Sequence, residues 1–84
     1  MSMEENRIGV AAIIVENPDS AQEVNEALHK YSGLIVGRLG VPYRERGVAV
    51  ISVILDGTTD EISALTGRLG KIGGVTVKAA VSKK

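Results

Sequence analysis

The sequence predicts an α+β fold of the ferredoxin-like kind, a βαββαβ sandwich in which a four-stranded antiparallel sheet carries two helices on one face. Apolar runs rich in Val, Ile and Ala recur at Ile8–Val15, Leu34–Val41, Val48–Leu55 and Val75–Val81. Between the first and second runs, and again between the third and fourth, apolar residues fall at helical spacing behind residues that cap helices. The second and third runs are separated only by the polar connector Pro42–Gly47, which reads as a hairpin loop at the centre of the chain.

In chain order, residues 1–6 (MSMEEN) read as a flexible terminus and residues 7–84 as a single domain. Ile8–Val15 is apolar without a break, which suits a central strand, and Asn17-Pro18 ends it. Asp19 and Ser20, with Gln22 and Glu23 three residues on, offer two overlapping capping boxes. Ala21, Val24, Leu28 and Tyr31 then share one helical face, and Gly33 is a plausible stop. After the hairpin, Asp56-Gly57 turns the chain and Thr58 with Glu61 forms a further capping box. Ile62, Leu65, Leu69 and Ile72 repeat the helical spacing, Gly73-Gly74 stops the helix, and Val75–Val81 is the last strand.

Bulk properties exclude several classes of function. The 84 residues make one domain, and a chain this short buries only roughly 60% of the surface its unfolded form exposes. Ten basic residues balance ten acidic ones, so no positive excess favours direct nucleic-acid binding. Tyr31 and Tyr43 are the only aromatic residues, too few for a base-stacking platform. Without cysteine there is no disulfide or thiolate metal site, and a reducing cytoplasm suits the composition. The N-terminus lacks signal-peptide character, and no apolar run approaches the ~20 residues that span a bilayer.

The first and third strands are apolar on both alternating sets, with Ser52 the only polar residue between Val48 and Leu55. Helices cover one face of such a sheet, and a solvated second face should alternate with polar residues. The sequence therefore predicts a homodimer or homotetramer in which bare sheet faces or edges pack together.

Catalytic and metal chemistry is sparse. His29 is the only histidine and sits near a helix end, where the dipole favours it as a surface residue. No HExxH, CxxC or phosphate-loop motif occurs, and neither metal ligands nor a cofactor is expected. Gly-Arg-Leu-Gly occurs at 37–40 in a predicted strand and at 67–70 in a predicted helix, a coincidence of composition. Gly67 and Gly70 each cost about 1 kcal/mol against alanine inside a helix, and close packing against a neighbour is the expected reason. The candidate site is the hairpin. Arg38, Arg44 and Arg46 with the Tyr43 hydroxyl offer a grip for a carboxylate or phosphate, and Glu45 offsets the charge or pairs across an oligomer interface.

The segments GRLGVPYRERGVAVISVILDG and ISALTGRLGKIGGVTVK resemble the family of iron-only hydrogenase system regulators, over essentially the whole chain from about Arg7. That resemblance implies an ACT-like fold similar to the C-terminal ligand-binding domain of nickel-responsive repressors, domains that assemble into dimers and tetramers. Aligned on Leu34–Val36, the two histidines and one cysteine that hold nickel in those repressors fall on Gly40, Pro42 and Val48. The remaining ligand region falls near His29–Tyr31, so the nickel site does not carry over. Their ribbon-helix-helix DNA-binding domain has no counterpart here, and Asn17-Pro18-Asp19 replaces the glycine-containing turn of amino-acid-binding ACT domains. The resemblance implies a non-enzymatic regulatory module in the cytoplasm, acting through a small anionic ligand or a partner protein. The alternative is a small ferredoxin-fold enzyme such as an acylphosphatase-like phosphate hydrolase. That chemistry needs an anion-cradling loop and an arginine just after the first strand, where ENPDS stands instead. A purely structural oligomer is a third reading.

Overall fold

The computed structural model describes residues 5–83; most of the predicted flexible terminus, residues 1–4, lies outside the described residues. Four strands, β1 (Arg7–Val15), β2 (Ile35–Tyr43), β3 (Val48–Gly57) and β4 (Val75–Val81), and two helices, α1 (Ala21–Lys30) and α2 (Thr59–Gly70), follow the predicted order. They form one sheet in the order β2-β3-β1-β4, every neighbouring pair antiparallel. The two strands that are apolar on both alternating sets, β1 and β3, take the two central places.

The register decides which residues become core. Ala11, Ile13 and Val15 of β1 and Ile51, Val53 and Leu55 of β3 face the helices and are buried. Val24, Ala27 and Leu28 of α1 and Ile62, Leu65 and Leu69 of α2 close over them, with Ile72 just beyond the helix. Removing a Leu, Ile or Val side chain from water to this degree contributes about 1.5–3 kcal/mol each. Ala21 and Tyr31, predicted on the same face of α1, sit half-buried at its two ends.

The helix ends differ from expectation in instructive ways. Thr58 and Glu61 form the complete capping box: the Glu61 N–H donates to Thr58 Oγ1 at 3.1 Å, and the Thr58 N–H donates to Glu61 Oε1 at 2.9 Å. The first capping boxes do not form. Asn17 instead accepts the Asp19 N–H at 3.0 Å and caps a short 3-10 turn over Pro18–Ser20. The Ser20 hydroxyl is diverted to donate to the Gly73 carbonyl, a tertiary bond that outcompetes the local cap. Glu16 N–H also donates to the Gly74 carbonyl at 2.7 Å, so the turns after β1 and before β4 are clasped together. Gly74 has φ +77°, and a Cβ there would stand 2.6 Å from Asn17 Cβ, so only glycine fits.

Neither predicted glycine stop coincides with the end of its helix. α1 ends at Lys30 and passes through a 3-10 turn at Ser32–Leu34, while α2 ends at Gly70, ahead of Gly73-Gly74. The close packing expected at Gly67 and Gly70 is corrected within the chain. A Cβ on Gly67 would meet nothing within 4 Å, and one on Gly70 would make ordinary contact with Val77 at 3.7 Å. The repeated Gly-Arg-Leu-Gly lies in β2 once and in α2 once, as expected of a tetrapeptide whose surroundings decide its conformation.

The second face of the sheet carries no helix. Ile8, Val10 and Ile14 of β1, Val50 and Ile54 of β3, and Leu39, Val41 and Tyr43 of β2 each expose between 37% and 66% of their surface there. The register aligns them in rows: Val41, Val50 and Ile14 lie side by side, and Ile54 stands beside Val10. No helix among the described residues is long and apolar enough to cross a membrane.

Candidate functional site

Alternation along β2 divides the hairpin residues between two surfaces. Arg38, Gly40 and Pro42 oppose Val53, Ile51 and Ala49 and so stand on the helix side of the sheet. Leu39, Val41 and Tyr43 stand on the open side. Nothing substantial covers the helix side of β2, and every residue from Arg38 to Tyr43 is exposed.

A groove therefore runs between α1 and β2. Its lower end is lined by Asn25, Leu28, His29, Ser32, Ile35 and Arg38 and encloses about 380 Å³. Its middle passes Asn25, Arg38, Gly40 and Ile51. Its upper end, under the hairpin, holds about 320 Å³ between Val15, Pro18, Ala21, Pro42, Arg44, Gly47, Val48 and Ala49. The space exists because the residues facing one another across it, Ala21, Gly40, Pro42 and Ala49, are too small to fill it.

Two arginines line this largely apolar channel. Arg38 spans it from β2 and donates through Nη2 to Asn25 Oδ1 on α1 at 3.0 Å. Arg44 begins the 3-10 turn Arg44–Arg46 that closes the hairpin, where its carbonyl accepts the Gly47 N–H at 3.1 Å. Gly47 follows at φ +66°, a conformation that returns the chain into β3 and suits glycine. A guanidinium with an apolar floor beside it is suited to a carboxylate or phosphate borne on an apolar body.

Of the residues singled out from sequence, Arg38 and Arg44 share this groove, whereas Tyr43 faces the opposite side of the sheet. Glu45 and Arg46 are exposed at the hairpin tip. Pro18, Ala21, Asn25 and Ala49 complete the groove and were not singled out. Their only signal was negative: small or polar residues at the flank of the α1 apolar stripe and on a strand otherwise rich in Val and Ile. His29 is exposed at the lower end. Among the described residues no three His, Cys, Asp or Glu side chains gather as a metal-holding group.

The model of the TM1266-like family, whose description reads "Iron-only hydrogenase system regulator, putative", matches residues 7–79. This chain belongs to the TM1266-like family. The solved structure of the uncharacterized protein TM1266 from Thermotoga maritima superposes with a TM-score of 0.89 at 40% identity, covering 94% of this chain and 100% of that one. The ACT domain of a GTP pyrophosphokinase from Chlorobium tepidum superposes with a TM-score of 0.72 at 16% identity, over 93% of this chain and 100% of that domain. The nitrogen regulatory PII-like protein CPII from Thiomonas intermedia, bound to ADP, AMP and bicarbonate, reaches 0.52 at 15% identity, over 93% and 92% of the two chains. The last two likenesses concern the fold alone. No curated protein matches the chain. The TM1266-like chain thus has the ACT-like, ferredoxin-like fold that its sequence implied.

Proposed function

We propose that this TM1266-like protein is a non-enzymatic regulatory module of the iron-only hydrogenase system. It works in the cytoplasm as a homo-oligomer and takes a small anionic ligand or a partner protein in the groove between α1 and β2. The observation that carries this reading is the groove itself: an apolar channel with Arg38 and Arg44 as its charged side chains, beside a hairpin that extends the sheet. The balance of ten basic and ten acidic residues favours action through a ligand or partner over direct contact with nucleic acid.

Support for self-association comes from the uncovered sheet face. Its exposed Ile, Val, Leu and Tyr side chains form a contiguous apolar face of the kind that marks an interaction surface.

Support for a non-enzymatic role comes from the turn after β1, where a phosphate hydrolase of this fold would hold its anion. Pro18 has no N–H, the Asp19 N–H is taken by Asn17 Oδ1, and the Ser20 N–H is taken by the Asn17 carbonyl at 2.9 Å. These amides are spent on the turn rather than offered to a ligand.

Native mass spectrometry on gently purified protein tests the proposal. A dimer or tetramer is expected, falling to monomer in Ile54→Glu with an unchanged far-ultraviolet circular dichroism spectrum. Wild-type protein that stays monomeric at tens of micromolar sinks the oligomer. Acyl-phosphate hydrolysis that disappears in Arg44→Ala would return the protein to the enzymes.

A further inference from the structure

We propose that the lower end of the groove is a phosphate subsite for a monoester whose apolar body lies along the channel toward Ala21 and Pro42. Asn25, His29, Ser32 and Arg38 are its donors, and Asn25 also holds Arg38 in place. The inference rests on the groove being the binding site, and it names the ligand class and the end that takes its charge.

Asn25, His29 and Ser32 fall at offsets 0, 4 and 7, one polar stripe along the flank of α1 that runs into the 3-10 turn after it. Arg38 of β2 faces that stripe across the groove. The four side chains share one chamber of about 380 Å³, whose apolar floor is Leu28, buried, and Ile35, half-buried. Another strand hydrogen-bonded to β2 would lie in the plane of the sheet, about 4.8 Å away, and would flank the chamber without filling it.

A guanidinium only donates, so the Asn25 atom that Arg38 Nη2 meets at 3.0 Å is the oxygen, and the Asn25 amide nitrogen is left to donate. The same bond fixes Arg38 across the groove while using one of its N–H groups, and the rest of the fork stays open to a ligand. The Ser32 hydroxyl donates as well, and an imidazole carries an N–H in either protonation state. Every polar side chain of the chamber thus presents a donor, and no Asp or Glu lines it. Because Asn25 is neutral, it leaves the charge of Arg38 uncompensated there.

Bare carbonyls at the C-terminus of α1 would repel an anion. Here the Ala27 carbonyl accepts the Tyr31 N–H at 3.2 Å, the Tyr31 carbonyl accepts the Leu34 N–H at 2.9 Å, and the Ser32 carbonyl accepts the Ile35 N–H. The acids of α1, Glu23 and Glu26, lie off the stripe, and Glu26 accepts from Gln22. A phosphate monoester brings three strong acceptor oxygens and about two negative charges, enough to use donors from the helix, the turn and the strand together. Beyond Arg38 the groove passes Gly40 and Ile51 to Ala21 and Pro42, an apolar run for the body of the ester.

The test is an amide-resolved NMR titration of the full chain at constant ionic strength, with phenyl phosphate as the probe and inorganic phosphate and benzoate as comparators. Phenyl phosphate should shift the Asn25 side-chain amide and the backbone amides of His29, Ser32 and Arg38. It should bind about threefold tighter than either comparator. Arg38→Gln should weaken it about tenfold, whereas Arg46→Gln, the same charge lost at the hairpin tip, should change it less than about twofold. Asn25→Asp keeps an acceptor for Arg38 but neutralises it, and should cost about tenfold as well. Asn25→Ala should cost less in the Arg38→Gln chain than in the wild type, because part of its effect passes through Arg38.

Equal losses from Arg38→Gln and Arg46→Gln would reduce the binding to unspecific charge attraction and overturn the subsite. Benzoate binding as tightly as phenyl phosphate would overturn the choice of phosphate. Shifts centred on Arg44–Val48 that ignore Arg38→Gln would move the ligand to the upper end, sinking this inference while leaving the groove as the site. An oligomer by native mass spectrometry that shows no shift up to the solubility limit of phenyl phosphate sinks this inference alone.

Discussion

In the first half of the chain α1 leads into β2, which reaches the sheet edge with every residue from Arg38 to Tyr43 exposed. In the second half α2 leads into β4, which also reaches an edge but tucks Val75 and Val77 against the core. Both halves are one strand, one helix and one strand, and both begin on a strand buried at the sheet centre. The difference lies in the helix-side positions of the last strand. In β4 these are Val75, Val77, Ala79 and Val81, of which Val75 and Val77 pack half-buried against the core. In β2 they include Arg38, Gly40 and Pro42, which do not. One plan therefore yields a half that closes the core and a half that keeps a groove open.

The sharpest way to break the comparison is to truncate one apolar side chain in each half. Leu69 of α2 is fully buried, whereas Val36 of β2 is 67% exposed. Leu69→Ala should cost about 2–5 kcal/mol in urea unfolding, and Val36→Ala less than about 0.5 kcal/mol. Equal losses would mean that β2 is covered in the folded assembly, and the division into a closed and an open half would fail.

A smaller effect separates the two helix starts. Thr58 and Glu61 satisfy each other's backbone N–H, and Thr58→Ala should cost about 1 kcal/mol. Asn17 caps only a short 3-10 turn, so Asn17→Ala should fall at the low end of the range for lost caps, about 0.5 kcal/mol (its Cβ, packed on Gly74, is retained). Thermal unfolding of the two variants under matched conditions reads the ordering directly.

These starts also mark where sequence reasoning succeeds and where it stops. The strands, the helical faces and the sheet order follow from apolar periodicity and from which strands are apolar on both sides, and all of these are local patterns. The Thr58–Glu61 box is local too, and it forms as read. The Ser20 cap fails because its hydroxyl is claimed by Gly73, far away in sequence, and no local pattern reveals that competition. The site divides in the same way. Arg38 and Arg44 are visible as cations beside a hairpin, yet only register places them together and sends Tyr43 to the other face. Asn25 becomes a partner of Arg38 through the packing of α1 beside an uncovered strand, which a spacing rule does not encode.

The finest distinction falls on α2 itself, the helix of the closed half. Gly67 lies inside it, exposed, with open space where a side chain would stand. A glycine there forfeits helix propensity without gaining a tighter contact in the single chain. Gly67→Ala should therefore stabilise the fold by about 0.5–1 kcal/mol and raise the melting temperature by roughly 2–8 °C. The measurement is a matched pair of thermal melts and native mass spectra. A stabilised variant with an unchanged assembly leaves the outer face of α2 free, as the comparison of halves requires. A variant that keeps its helix content but loses its oligomer would place another molecule's backbone against Gly67, because a single methyl group matters only where something already stands within its reach.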